Sequence, residues 1–173
     1  MNIEYRRVNP KESKKYREIR LGCLKNHPES FGSTYEDEVK KSKLFFETCI
    51  KDKSQVNVMY GAFDLSDNDK LIGICGFARE ERGSRQHWGS IVQVYLKPEY
   101  RGKNISFELS KFVIENIFMN NEIEYITLGV VMGNDSAFKL YEKLGFVQYG
   151  LQKNYIKYNG KYFDQIFMRL DRK

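Results

Sequence analysis

Arg101 and Lys103 bracket Gly102 where one kind of sequence gives way to another. Before them, Gln93-Val94-Tyr95-Leu96 ends an apolar run that reads as a buried strand, and Lys97-Pro98-Glu99-Tyr100 reads as a turn. After them, Asn104-Ile105-Ser106 leads into Phe107-Glu108-Leu109-Ser110, the opening of a helix. Such a junction turns backbone N–H groups outward at the positive end of a helix dipole, which suits a phosphate. The two cationic side chains add to that field. An ordinary strand-to-helix connection with two solvated charges accounts for the same residues, because short glycine-containing junctions are weak motifs.

The elements that must position this loop can be read from periodicity. Ile3 to Val8 alternates as a first strand, Asn9-Pro10 breaks it, and Lys11 to Leu24 reads as a helix with Tyr16, Ile19, Leu21 and Leu24 inward. His27 to Thr34 is a breaker-rich loop, and Glu36 to Ile50 reads as a second helix with Val39, Leu44, Phe45, Phe46 and Ile50 on its apolar side. Ser33 or Thr34 would cap it, with Glu36 and Asp37 complementing its dipole.

Val56–Asp64, Leu71–Arg79 and His87–Leu96 form an antiparallel meander, the last strand central because Ile91 to Leu96 is almost continuously apolar. Gly73 and Gly76 within the middle strand signal a bulge or a close backbone approach. Ile105, Leu109, Phe112, Val113 and Ile117 fall at helical spacing, and Ile123–Val131 is a further strand. Asn134 starts a helix with Ala137, Leu140, Tyr141 and Leu144 on one face, which Gly145 ends. Asn159-Gly160 marks a type I′ hairpin between Tyr155–Tyr158 and Lys161–Phe163.

The chain of 173 residues suits one mixed α/β domain spanning residues 1–173, with no internal repeat or linker. Its 12 Tyr, 12 Phe and 41% hydrophobic content argue against a disordered chain. No apolar run approaches the roughly 18 residues of a membrane span, and the N-terminus lacks a signal-peptide core, so a cytoplasmic protein is expected. Cys23, Cys49 and Cys75 with His27 and His87 show no metal-ligand spacing; free thiols and no metal are expected. The net charge of +6 fits nucleic acid or a polyanionic cofactor, but no dense basic block supports the former.

Pro-Glu-Tyr-Arg-Gly-Lys before a helix resembles the acetyl-CoA pyrophosphate loop of the GCN5-related N-acetyltransferase (GNAT) family, with Arg101 at its first position and Asn104 and Ser106 at its two later small-residue positions. Val130-Val131-Met132-Gly133-Asn134-Asp135-Ser136-Ala137-Phe138-Lys139-Leu140-Tyr141-Glu142-Lys143-Leu144-Gly145-Phe146 is similar to the second signature of that family. The resemblance implies an α+β acyl-CoA N-acyltransferase fold: a mostly antiparallel sheet of about six or seven strands with about four helices and two splayed, parallel central strands. It also implies acetyl-CoA as cosubstrate and a primary amine of a small molecule, peptide or protein as acceptor; hydropathy and the scattered charge lead to no expected membrane or nucleic-acid partner.

By the same resemblance, Val94, Tyr95 and Leu96 would lie along the pantetheine, with the Val94 amide on the acetyl carbonyl. Arg101, Gly102, Lys103, Asn104, Ile105 and Ser106 would hold the pyrophosphate, and Asn134 and Ala137 would flank the cofactor. Tyr141 would be the general acid. Asn104 stands where the family has glycine, yet Asn tolerates left-handed backbone and caps helices. The base is left open: Ser90 stands where some members carry glutamate, which leaves Glu36, Glu80, Glu81 or a water. Acceptor recognition falls to Pro28–Tyr35, Arg79–His87 and the hairpin tyrosines Tyr155, Tyr158 and Tyr162. That hairpin or a sheet edge would serve a homodimer. A non-catalytic acyl-CoA-binding or sensor domain of the same fold is the alternative.

Overall fold

The computed structural model describes residues 1–173. Seven strands, β1 (Ile3–Arg7), β2 (Asn57–Asp64), β3 (Lys70–Arg79), β4 (Trp88–Leu96), β5 (Tyr125–Val131), β6 (Val147–Tyr158) and β7 (Lys161–Asp171), form one sheet in the order β1-β2-β3-β4-β5-β7-β6. Five helices flank it: α1 (Ser13–Asn26), α2 (Tyr35–Val39), α3 (Phe45–Lys51), α4 (Ile105–Phe118) and α5 (Asp135–Lys143). All neighbouring strands are antiparallel except β4 and β5. The meander β2–β3–β4 and the central place of β4 follow the apolar runs. At the hairpin, Asn159 and Gly160 take φ of 47° and 76°, the two positive values that a type I′ turn requires.

Strands β2, β3 and β4 are covered on both faces. Ile105, Leu109, Val113 and Ile117 of α4 pack with Ile126, Leu128 and Val130 of β5 on one side. Tyr16, Ile19, Cys23 and Leu24 of α1 and Phe46 and Ile50 of α3 cover Met59, Phe63 and Ile74 on the other.

Two readings on that second side need correction. The single helix expected over Glu36–Ile50 is two, because Lys40-Lys41-Ser42-Lys43 offers no apolar side chain to bury, and Leu44 then turns inward, 1% exposed. The Glu47 carboxylate accepts the Leu44 N–H at 2.9 Å and thereby starts α3. As a result Val39 and Phe45 are exposed rather than inward. On α1 the helical phase brings Arg20 and Cys23 inside and leaves Leu21 half-buried.

Glycines permit close approach in the middle of the sheet. A Cβ at Gly76 would lie 2.9 Å from Met59 Cε and 3.2 Å from the Val92 carbonyl, and one at Gly73 3.0 Å from Leu96 Cδ1. Between these two glycines the β3–β4 register shifts, as the glycine pattern suggested.

Candidate functional site

Pairing between β4 and β5 stops early. Trp88, Gly89 and Ser90 face Tyr125, Ile126 and Thr127, and beyond them the two strands diverge. The Ser90 and Thr127 hydroxyls meet at 2.8 Å at the apex of this split. On its other side β4 pairs with β3, but Ile74 opposes Tyr95 while Gly76 opposes Val92. Gln93 and Val94 therefore both stand opposite Cys75 alone. Gln93 accommodates the extra residue with φ of 55°, and its side-chain carbonyl accepts the Tyr16 hydroxyl at 2.8 Å.

The consequence for the backbone follows from alternation. Lys97 N–H bonds to Ile72 O at 2.9 Å, so Tyr95 also pairs with β3, and the N–H of Leu96 points away from it. At the bulge, Gln93 and Val94 have only Cys75 opposite them on β3, and Val94 borders the gap that β5 has left. Buried protein rarely leaves such groups without partners. An extended ligand carrying amides would supply them.

The gap is a cleft of about 730 Å³. Val94, Tyr95 and Leu96 form one wall; Val131, Asn134, Ala137 and Tyr141 form the other; Arg101, Gly102, Asn104, Ile105 and Ser106 close one end. Each was singled out in the sequence except Val131. Lys103 is outside the lining: its ammonium lies over the Tyr100 ring at 5.6 Å and its Nζ donates to Glu99 O at 3.4 Å.

At the closed end Gly102 and Asn104 both adopt left-handed backbone, φ 75° and 61°. Asn104 is the N-cap residue of α4, but its side chain makes no cap bond; its Nδ2 donates to Glu108 Oε1 at 2.9 Å instead. The expected side-chain cap is thus absent, because αL geometry swings the amide toward the helix side. The first N–H groups of α4 remain open to an anion. The Arg101 guanidinium reaches back across the mouth, donating through Nε to Leu96 O at 3.3 Å, with Nη2 3.2 Å from His27 Nε2.

On the opposite wall Asn134 caps α5, its Oδ1 accepting the Ala137 N–H at 3.3 Å and the Ser136 hydroxyl at 3.1 Å. Tyr141 is 6% exposed, with its ring edge-on to Phe146 at 5.8 Å. Burial, and secondarily the neighbouring Cys75, push its hydroxyl well above the usual phenol range. That hydroxyl stays protonated and makes no hydrogen bond within the protein, and Tyr141 is among the residues that line the cleft.

None of the three carboxylates considered as a base lines the cleft. Glu81 accepts Asn57 Nδ2 at 2.8 Å, Glu80 lies 3.6 Å from Arg85, and Glu36 sits exposed in the first turn of α2. The carboxylate that does line it is Glu29, 3.8 Å from His27 Nδ1. Glu29, Ser30 and Phe31 come from the loop assigned to the acceptor side, and His27 stands just before it. The hairpin contributes Phe163, whereas Tyr155 and Tyr162 face outward. His27 and Phe163 had no spacing signal, since only the tertiary fold brings them here. No three His, Cys, Asp or Glu side chains gather as a metal site, and no helix is long and apolar enough to cross a membrane.

A mixed seven-stranded sheet with five helices, its two parallel central strands splayed around a cleft, is the acyl-CoA N-acyltransferase fold. Residues 6–167 match the Acetyltransferase (GNAT) domain, so the chain belongs to that acetyltransferase family, whose cosubstrate is acetyl-CoA. A probable N-acetyltransferase, YjcK, of Bacillus subtilis is 28% identical over 131 residues, 76% of this chain and 69% of that protein. N-alpha-acetyltransferase 30 of Schizosaccharomyces pombe is 28% identical over 88 residues, 51% of this chain and 58% of that protein. Among solved structures, a GNAT acetyltransferase from Streptococcus pneumoniae superposes with a TM-score of 0.84 at 21% identity, covering 99% of this chain and 100% of that one. The acetyltransferase yncA of Salmonella typhimurium, solved with acetyl-CoA, gives 0.80 at 15% identity, covering 99% and 94%.

Proposed function

We propose that the chain transfers the acetyl group of acetyl-CoA directly to a primary amine of a small molecule or of a peptide. The observation that carries this reading is the divergence of β4 from β5, which opens the cleft along Val94 and Leu96. The Val94 N–H polarises the thioester carbonyl, and Leu96 pairs with the pantetheine once Arg101 releases its carbonyl. The amides from Arg101 to Ser106, Lys103 included, hold the pyrophosphate, with Asn134 and Ala137 flanking the pantetheine. Fixed backbone donors need no reorganisation as charge develops on the carbonyl oxygen.

The neutral amine nitrogen attacks the carbonyl carbon, the C–S bond breaks, and the Tyr141 hydroxyl protonates the departing thiolate. The surplus amine proton leaves to water, and a proton from water returns to Tyr141, so that one proton passes in balance from amine to thiol; Glu29 is the one carboxylate that borders the cleft. A relative named as an N-alpha-acetyltransferase supports the peptide arm of the acceptor class.

The test combines thermal unfolding with thiol release. Acetyl-CoA raises the melting temperature of wild type and Tyr141→Phe alike, while the variant releases thiol from acetyl-CoA far more slowly across an amine panel. Stabilisation with no release on any amine would instead identify a non-catalytic acyl-CoA-binding domain. No stabilisation would refute the cofactor assignment.

A further inference from the structure

Arg20 is the one buried cation of the chain, 3% exposed on the face of α1 turned to the sheet. Its situation differs from that of the buried glutamates. Glu12 has Arg6 at 2.8 Å and Glu47 has Arg17 at 2.6 Å. Arg20 is in no ion pair: Glu47 is taken, and Glu38 on the facing helix is bound to Lys41 at 2.6 Å. Of its side-chain donors, only Nη1 finds a partner, the Cys23 sulfur at 3.7 Å, a weak acceptor. Nε is fully buried with none. An arginine does not escape this by losing its proton. A buried charge left unpaired is among the costlier features a fold can keep.

The position of this charge says where a partner would come from. Phe31, which lines the cleft, covers the guanidinium with its ring centroid 5.0 Å away. The ring offers the cation its face but no hydrogen-bond acceptor, so Nε keeps its N–H without a partner. One turn earlier on α1, Tyr16 bonds to Gln93 of the bulge at 2.8 Å, so this face of the helix looks at the strand segment beside Val94. Arg20 also lies near enough to the Tyr16 hydroxyl and the Cys23 thiol to offset part of the upward push that burial gives both. The unpaired cation thus lies behind Phe31, one of the residues on the acceptor side of the cleft.

We propose that Arg20 is the anion-binding residue of the acceptor site, and that the acceptor is an amine bearing a carboxylate. This rests on the acetyl-transfer reading above and narrows its acceptor class. The planar guanidinium matches a carboxylate in a two-bond fork, which fixes orientation as well as charge. Phe31 shifts aside to admit it and then excludes water from the pair. The cofactor phosphates are not competitors, because the Arg101–Ser106 loop holds them.

The test measures thiol release with matched acceptors: amino acids against their decarboxylated amines and their amides, and dipeptides with aspartate against asparagine at the second position. Wild type is expected to favour the carboxylate-bearing members by at least about 100-fold in kcat/KM. Preference for free amino acids alone, or for acidic dipeptides alone, assigns the source of the carboxylate. Arg20→Gln brings the ratio to about 1, and Arg20→Lys, which keeps charge without the fork, leaves roughly a tenth of the preference. Acetyl-CoA binding by calorimetry shows that the variants are folded. A wild-type ratio near 1, or a ratio that Arg20→Gln leaves intact, overturns the proposal while acetyl transfer stands. A turnover-free arm uses the N-acetylated amino acid as probe. If it raises the melting temperature of wild type but not of Arg20→Gln, yet no amine releases thiol, the anion site stands and acetyl transfer falls.

Discussion

Tyr141 shows how much a single side chain can owe to its surroundings. A phenol on the surface begins to ionise near its ordinary value of 10.0, but burial holds this one protonated well beyond it. As the acid of the proposed reaction it gives kcat no alkaline fall below about pH 10 that Tyr141→Phe removes. That variant is expected to lose about 100-fold in kcat, with the dissociation constant for acetyl-CoA unchanged, in stopped thiol assays and calorimetry. The helix that Asn134 starts and on whose inner face Tyr141 lies was legible from its pattern, whereas the site roles of both came from the resemblance to the family signature. Arg20 was legible from neither. On a helix the inward stripe is inferred from apolar residues, and Leu21 drew it one position out of phase, so the buried charge beside it stayed hidden.

Elements here are distorted where they meet the cleft, and the distortions can be measured. Gln93 carries left-handed backbone in the middle of a strand and also satisfies the Tyr16 hydroxyl. Gln93→Val places a β-branched residue in that conformation and orphans a buried hydroxyl, so urea unfolding should show a loss of at least about 2 kcal/mol. Gln93→Gly removes the strain but keeps the orphan, and should lose less. Asn104 offers the contrasting case, since its side chain makes no cap bond. Asn104→Gly is expected to leave stability unchanged or raise it by up to about 1 kcal/mol, whereas Asn104→Val lowers it by more than 1 kcal/mol.

The glycines of β3 announced an irregularity at this level. What they could not announce was that the extra residue lies on β4, because register belongs to the pair of strands. The division of Glu36–Ile50 into α2 and α3 was hidden for a similar reason. Local pattern allows one helix there, and the distant Arg17, pairing with Glu47 at 2.6 Å, helps fix the second start.

At the scale of the whole molecule, burial couples stability to alkaline pH. Cys75 is pushed by burial from its ordinary 9.0 to about 12, and burial raises the Tyr16 and Tyr141 hydroxyls as well. The unfolded chain gives up these protons between about pH 9 and 10 while the folded chain retains them, so unfolding is favoured as pH rises. Stability is expected to be undiminished by these groups below about pH 8 and to fall steadily above 9; melting temperatures across pH 7–11 check this, and Cys75→Ala should make the fall shallower.

The short pairing between β4 and β5 has a mechanical meaning. Only three residue pairs join β4 to β5 at the middle of the sheet, so β1–β4 and β5–β7 are two blocks sharing a short seam. Such a seam breathes more readily than either block unfolds, and whatever spans both walls fastens it. Resistance to proteolysis would then rise and fall with occupancy: each departing product loosens the protein for an instant, and a cell poor in acetyl-CoA would hold this chain in its more perishable form.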